Sequence, residues 1–267
     1  MSHRSADTAT CSEDQSSLEI SRGVITEPNG TDVRISDAQL GKSRCIAVTP
    51  PSSVTPSEQL NLVLISDTHG KHRSIAMPEG DVLIHAGDFT RFGKLADAID
   101  FNEWLGTLSF EHIFVVLGNH EVNAPWVADV SSILTHAVLL IDSSATICCG
   151  SRRVQLWGCG FYWPVDTPFF VPPYASIPEG VDVLISHGPA ASHVDNGHGC
   201  PLLLDQIERI RPKLVVCGHI HEAHGVCMGQ KAGLQQVVFA NAALDGGPSN
   251  KTGSRRPLGW PPIAISV

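Results

Sequence analysis

Five short apolar runs in this chain end in residues that can hold a cation or move a proton. Asp67-Thr68-His69 follows Leu62–Ile65, and Gly87-Asp88 follows Val82–Ile84. Gly118-Asn119-His120-Glu121 follows Ile113–Leu117. His187 follows Val181–Ile185, and Gly218-His219-Ile220-His221 follows Leu214–Cys217. The donors are carboxylate, amide oxygen and imidazole, with no thiolate in the five motifs. That mixture suits Mn²⁺, Fe or Zn²⁺ better than Ca²⁺, and argues against a purely structural cysteine-type zinc site. Asp67, His69, Asp88, Asn119, His187, His219 and His221 are seven candidate ligands, too many for one tetrahedral ion. They fit two ions that share a bridging carboxylate, with water in the open positions. Two metals ~3.5–4 Å apart can generate a hydroxide nucleophile and clamp the attacking and leaving oxygens of a phosphoryl group. Taken singly, each motif is weak. An Asp-x-His pair is usually a surface loop or a satisfied core pair, and Gly-Asp alone says almost nothing. The order of all five, each behind a strand, makes the pattern specific.

The elements that must position these groups read as strands alternating with helices. The five runs are short and rich in β-branched residues, which suits buried strands. Between them, residues 94–108 carry Leu95, Ala98, Ile99, Trp104, Leu105 and Leu108 roughly along one helical stripe. Residues 126–136 form a second helix candidate. Residues 201–212 form a third, with Pro201 in its first turn and Pro212 past its end. Alternation of this kind implies an α/β layered fold. In such sheets ligands bind beyond the carboxyl ends of strands, so five loops would converge on one rim. Residues 152–160 and 234–242 read as strands of a second sheet, and residues 261–267 as a possible edge strand. Residues 1–58 read as a polar leader and linker: an aperiodic tail to residue 17, short β-like pieces around Pro28-Asn29-Gly30, then a Pro/Ser-rich stretch. The main domain is expected over 59–267.

Composition narrows the classes. With 42% hydrophobic and 17% charged residues over 267 positions, a folded globule is expected. A formal charge of −9 argues against broad attraction to nucleic acid or an anionic membrane, although bound cations could make one cleft locally positive. The eight cysteines include no C-x-x-C pair and are expected to be reduced. No apolar signal segment opens the chain, and no apolar run approaches the ~18 residues of a membrane span. A cytoplasmic protein is the expectation, with oligomeric state open.

Asp67-x-His69, Gly87-Asp88, Gly118-Asn119-His120-Glu121, His187 and Gly218-His219-x-His221 resemble the full signature of the calcineurin-like metallophosphoesterase superfamily. The likeness covers roughly residues 60–245. Within the superfamily it extends to the metallophosphoesterase-domain-containing branch, which is similar to class III cyclic-nucleotide phosphodiesterases. The segments FNEWLGTL and IRPKLVVCGHIHEAHG, Asn241-Ala242 and the Pro-rich ending support that branch. The resemblance implies a four-layered α/β/β/α sandwich. It implies that Asp67, His69 and His221 hold one metal, that Asn119, His187 and His219 hold a second, and that Asp88 bridges them. His120 would face the leaving group as general acid or charge stabiliser. The cofactor would be two divalent ions, Mn first, with Fe, Zn or Mg as alternatives. Some members of the branch carry glycine at the place of His219; this chain keeps the histidine, which implies an intact second site.

The implied activity is metal-dependent phosphoester hydrolysis by metal-bridging hydroxide, most simply of a nucleotide-like small-molecule diester. A protein Ser/Thr phosphatase is the enzymatic alternative, weakened because Gly87-Asp88 continues Phe-Thr-Arg-Phe-Gly rather than reaching Asp-Arg-Gly. A weakly active nucleotide-binding protein is the alternative from another class. Substrate contacts are expected from Asn119, His120 and His198. In the loop 193–200, Asn196, His198 and Cys200 are candidates to line the cleft, against an equal alternative of a simple Gly-rich turn. His72, Arg73 and Arg91 read chiefly as solvated charge. Phe161-Tyr162-Trp163-Pro164 reads chiefly as packing, with a nucleobase platform as its functional alternative.

Overall fold

A computed structural model describes residues 59–162, 172–246 and 258–267, together with the backbone of strands within 23–49. The strands, in chain order, are β1 (Gly23–Thr26), β2 (Asp32–Leu40), β3 (Ser43–Thr49), β4 (Asn61–Ile65), β5 (Val82–His85), β6 (His112–Val115), β7 (Val138–Leu139), β8 (Ser143–Cys149), β9 (Arg152–Gly158), β10 (Val183–Ile185), β11 (Leu214–Cys217), β12 (Gly225–Met228), β13 (Val238–Asn241) and β14 (Ile263–Ser266). The helices are α1 (Leu95–Leu105), α2 (Asn119–Val122), α3 (Val130–Ile133) and α4 (Pro201–Ile210). One sheet has the order β1-β2-β3-β14-β4-β5-β6-β7, and the other β12-β13-β11-β10-β9-β8.

Period-2 alternation explains how the layers stack. In β4, Leu62 and Leu64 face the second sheet and join Ile84, Phe114, Leu156, Ile185 and Val216 in the core between sheets. Val63 and Ile65 face outward and pack with Phe89, Phe101, Trp104 and Leu105 under α1. Leu203, Ile207 and Ile210 of α4 cover the outer face of the other sheet, against Tyr174, Val215 and Phe239. The result is an α/β/β/α sandwich, the architecture that the family resemblance implied and one that fits the α/β layering expected from the strand and helix rhythm. Phe101 and Phe89 are fully buried and stack at 4.6 Å. Each such side chain contributes about 1.5–3 kcal/mol of burial.

Strands β4, β5, β6 and β7 run parallel, as do β9, β10, β11 and β13. Their carboxyl ends therefore share a rim in each sheet. The two rims meet where Ser66 bridges to Ala243 and Leu244 N–H donates to Ser66 O at 3.0 Å. Residues 152–160 and 234–242 supply β9 and β13 of the second sheet, as expected.

Three expectations need correction. The last strand is not an edge: β14 lies between β3, in parallel, and β4, antiparallel. Its Ile263, Ala264 and Ile265 are buried, so an interior place is the one that keeps both faces out of water. Residues 126–136 form only a 3-10 turn and the four-residue α3 rather than one helix. Strands β1–β3, inside the stretch read as leader and linker, hydrogen-bond in sequence to β14 and so extend the first sheet. The tail to residue 17 lies outside the described residues, as do residues 50–58 of the linker read at 49–58, whose first residue, Thr49, ends β3.

Candidate metal centre

The seven ligand candidates converge on the joined rims. Donor atoms of Asp67, His69 and His221 lie within 4.8 Å of one another, and so do those of Asp88, His187 and His219. Asp88 also groups with His69 and His120 on the same criterion, so its carboxylate stands between the two sets. Asn119 Oδ1 is 3.2 Å from His187 Nε2. His69 Nε2 approaches His221 Nε2 at 3.4 Å, and His221 Nε2 approaches Asp67 Oδ1 at 3.1 Å. Lone pairs of ring nitrogens and carboxylates directed at one another are what a cation would separate and satisfy.

The backbone is strained to reach this arrangement. Asp67, His69, Asp88 and His219 all have positive φ, between 44° and 67°. Non-glycine residues rarely adopt that region, and such strain persists only where the surroundings over-determine it. Two glycines make room. Gly87 has φ of +97°, and a Cβ there would meet His187 Nδ1 at 2.7 Å. A Cβ on Gly118 would meet Asp88 Oδ1 at 2.1 Å.

Hydrogen bonds outside the donor sets aim the rings. His187 Nδ1–H donates to Ala86 O at 2.7 Å, and His69 Nδ1–H to Thr90 O at 3.3 Å. Each bond points Nε2 at the cluster, where it can ligate a cation once it gives up any proton it carries, the usual orienting device for metal-binding imidazoles. Asp67 accepts His219 N–H on Oδ2 at 2.9 Å, and Asp88 accepts His120 N–H on Oδ1 at 2.9 Å.

The charges are mutually supporting. Burial alone would raise the Asp67 pKa, but His187 and His221 hold it well below the usual carboxylate range. Asp88 is likewise lowered against burial, chiefly by His187. Burial would lower His187, yet Asp88 and Asp67 raise it to about 9. Burial and His187 push His219 down to about 4, so that ring is neutral at pH 7. The set of buried carboxylates, an amide oxygen and oriented imidazoles fits two divalent cations.

His120 differs from the ligand candidates. Its Nδ1 lies 3.0 Å from both Phe92 N–H and Thr90 O. With Nδ1 as acceptor from Phe92, the neutral ring carries its proton on Nε2. With Nδ1–H donated to Thr90 O instead, the neutral ring has a bare Nε2. That atom faces Asp88 Oδ2 at 3.8 Å.

Two residues that tie the site together received no role from the sequence: Glu121, the last residue of the Gly118–Glu121 motif, and His85. Glu121 is fully buried and accepts Asp88 N–H, Thr90 N–H, Thr90 Oγ1–H and Gly118 N–H at 2.6–3.0 Å. Burial and the Asp88 charge push its pKa up to about 7, and these four donors oppose them. His85, also buried, accepts Gly87 N–H on Nδ1 at 3.2 Å, leaving Nε2–H for Thr68 Oγ1 at 3.0 Å. Burial lowers its pKa to about 3, so it is a neutral brace between the first two metal loops.

A cleft of about 450 Å³ opens over the cluster, lined by His69, Lys71, Asp88, Arg91, Phe92, Asn119, His120, His219, His221 and Asp245. His198 is not among the lining residues; it stands exposed in a loop closed by Asp195, whose Oδ2 accepts Ser192 and Gly199 N–H at 2.9 Å. Asn196 is exposed and Cys200 buried. His72 is buried against Phe101 and Trp104 and pairs with Asp100 at 2.9 Å, while Arg73 also bonds Asp100. Arg91 lines the cleft, with Nη2 2.8 Å from Asp97 Oδ1. Phe161 packs against the rings of His187 and His219, and Tyr162 bonds Asp142. Trp163 and Pro164 lie outside the described residues. Among the described residues, Cys159, Cys200, Cys217 and Cys227 are free thiols.

The family model described as calcineurin-like phosphoesterase matches residues 60–223. Human metallophosphoesterase domain-containing protein 1 is 36% identical over 66% of this chain, which spans 65% of that protein's length. A UPF0046 protein of Caenorhabditis elegans is 34% identical over 73% of this chain and 72% of its own. A solved Thermus thermophilus structure shares the fold, with a TM-score of 0.51 at 11% identity over 68% of this chain and 88% of its own. The chain belongs to the calcineurin-like phosphoesterase family and is homologous to metallophosphoesterase domain-containing proteins. No helix among the described residues is long and apolar enough to cross a membrane.

Proposed function

We propose that this protein is a dinuclear-metal phosphodiesterase acting on nucleotide-like small molecules. The observation that carries the reading is a chain of donor sets at one cleft: Asp67, His69 and His221 group together, Asp88 groups with His187 and His219, and Asp88 also groups with His69, which links the two. Asp67, His69 and His221 would hold one divalent ion, and Asn119, His187 and His219 the other, with Asp88 common to both. When bound, the ions would activate water and neutralise charge developing on the phosphoryl oxygens. The protein's own part is then positioning and proton delivery. His120 Nε2 lies beside the cluster, and in the tautomer that accepts Phe92 N–H it carries a proton, with which it would serve the leaving oxygen as acid or charge stabiliser.

Preference for a diester follows from the charge on the cleft wall. Lys71 is paired with Asp245 at 2.8 Å, and Arg91 with Asp97 at 2.8 Å. With both lining cations neutralised, a monoanionic diester is a better match than a dianionic monoester. The cleft volume falls within the ~300–1,000 Å³ of small-molecule sites. Manganese is the first choice of metal, because two carboxylates and an amide oxygen stand among the donors, and the four imidazoles keep Fe and Zn as alternatives.

The test is a turnover screen of the purified protein with Mn²⁺, Fe²⁺, Zn²⁺ or Mg²⁺. Substrates are bis-p-nitrophenyl phosphate, p-nitrophenyl phosphate and a panel of cyclic nucleotides. Chelator-sensitive hydrolysis that is faster for the diester supports the reading. Faster monoester hydrolysis contradicts the diester assignment, and binding without turnover makes the protein a nucleotide-binding member of the fold.

A further inference from the structure

Phe92 is 82% exposed although it borders the metal cleft. Its backbone has φ of +52°, in the left-handed region that bulky residues avoid. The conformation is imposed from both sides. Thr90 N–H and Oγ1–H bond Glu121, while Arg91 N–H and its guanidinium bond Asp97 at 2.8–3.0 Å. Beyond Phe92, Gly93 N–H donates to Thr90 Oγ1 at 3.2 Å, and Trp126 Nε1–H donates to Gly93 O at 2.7 Å. The exposed ring is thus carried on a fixed turn. One of its faces lies over His120, with centroids 4.9 Å apart and planes 23° apart.

We infer that Phe92 is a specificity-determining residue of the cleft: a stacking platform for a planar aromatic or heteroaromatic group, such as a nucleobase, on the leaving-group side of the phosphorus. The inference rests on the phosphodiesterase reading above and names the substrate class of that site. Three observations lead to it. The ring borders the cleft and touches the residue placed at the leaving group, so a group stacked on it is attached through the bond that breaks. The large apolar surface left in water gains most from a planar apolar partner. The turn is already ordered, so binding costs little conformational entropy. Phe161, the aromatic nearest the other metal set, packs against the rings of His187 and His219 instead.

The test uses the full chain loaded with Mn²⁺ and compares wild type with Phe92→Ala and Phe92→Trp. Two readouts are taken: kcat and KM for an aryl and an alkyl phosphodiester, and calorimetric Kd for phenylphosphonate and methylphosphonate. Loss of base stacking on an aromatic side chain weakens binding by about tenfold or more. Phe92→Ala should therefore cost the aryl diester about tenfold more kcat/KM than the alkyl diester, mainly in KM. It should narrow the Kd ratio of the two phosphonates by a similar factor, and Phe92→Trp should restore both differences. Equal losses for aryl and alkyl compounds, or failure of tryptophan to restore the aryl preference, would overturn the inference and leave the phosphodiesterase reading standing. Wild type that binds both phosphonates with the expected selectivity but hydrolyses neither ester would support the platform and overturn the catalytic reading. Binding of neither phosphonate would overturn both.

Discussion

On the proposed reading, His120 is the residue at which catalysis and metal binding would separate. Its Nδ1 is engaged by the Phe92–Thr90 backbone, and its Nε2 is farther from Asp88 Oδ2, at 3.8 Å, than His187 Nε2 is, at 3.4 Å. His120→Ala should keep both metals and the fold. Turnover should fall by ~10²–10⁴ for alkoxide leaving groups and by less for p-nitrophenolate, which departs without a proton. Metal content and kcat for both substrate types check this; loss of metal would make His120 a ligand. His187 gives a second prediction, on the chelated protein. Its pKa is raised from 6.5 to about 9 in the folded chain by Asp88 and Asp67, against burial. A raised pKa stabilises the fold fully below the unfolded value and loses that contribution as pH rises through the folded one. Tm of the chelated protein should therefore decline by several degrees from about pH 6.5 to above pH 9, and His187→Gln should flatten that window. All seven ligand candidates were legible because each follows an apolar run. The bracing roles of Glu121 and His85 were not, although Glu121 stands in the Gly118–Glu121 motif, since their partners are backbone amides and two hydroxyls, and such contacts depend on loops meeting in space.

At the level of elements, the site depends on short loops held by one another rather than on long helices. Glu121, in the first turn of α2, receives donors from the loop after β5 and from the turn before α2 itself. Glu121→Ala would leave the buried amides of Asp88, Thr90 and Gly118 without that acceptor. At about 1–3 kcal/mol for each unsatisfied buried donor, the loss should be several kcal/mol. Urea unfolding should show it, and Mn²⁺ affinity should fall with it because Asp88 loses its support. An unchanged midpoint together with unchanged affinity would remove Glu121 from that role. The parallel strands β4, β5, β6, β10 and β11 and the helices α1 and α4 were legible from apolar runs, helical striping and the two prolines that bracket α4. Strand β8 was not, because its inward positions Ser143, Ala145, Ile147 and Cys149 include a single large apolar residue, so the alternation it has in the fold leaves little hydropathy signal. Strand β12 was missed for a related reason: its four residues are only half-buried.

For the whole molecule, the interior position of β14 makes the end of the chain part of the core that carries the site. Nothing in PPIAISV distinguishes an interior strand from an edge; the pairing with β3 and β4 is a long-range outcome. Ile265 is fully buried between the sheets, so Ile265→Asp places an unpaired charge there. Expected destabilisation exceeds about 4 kcal/mol, the range reserved for buried unpaired charges and large core defects. A soluble variant with wild-type Tm would contradict the topology. The central claim concerns the joined rims, where two sheets together present one dinuclear centre. Its most direct measurement is a titration of metal-depleted protein with Mn²⁺, following bound metal per chain and bis-p-nitrophenyl phosphate turnover, for wild type and Asp88→Ala. The account predicts two ions per chain in wild type, turnover that rises with the second, and loss of both metal and turnover in the variant. Two ions and normal turnover in Asp88→Ala, or full wild-type turnover with a single ion, would contradict it.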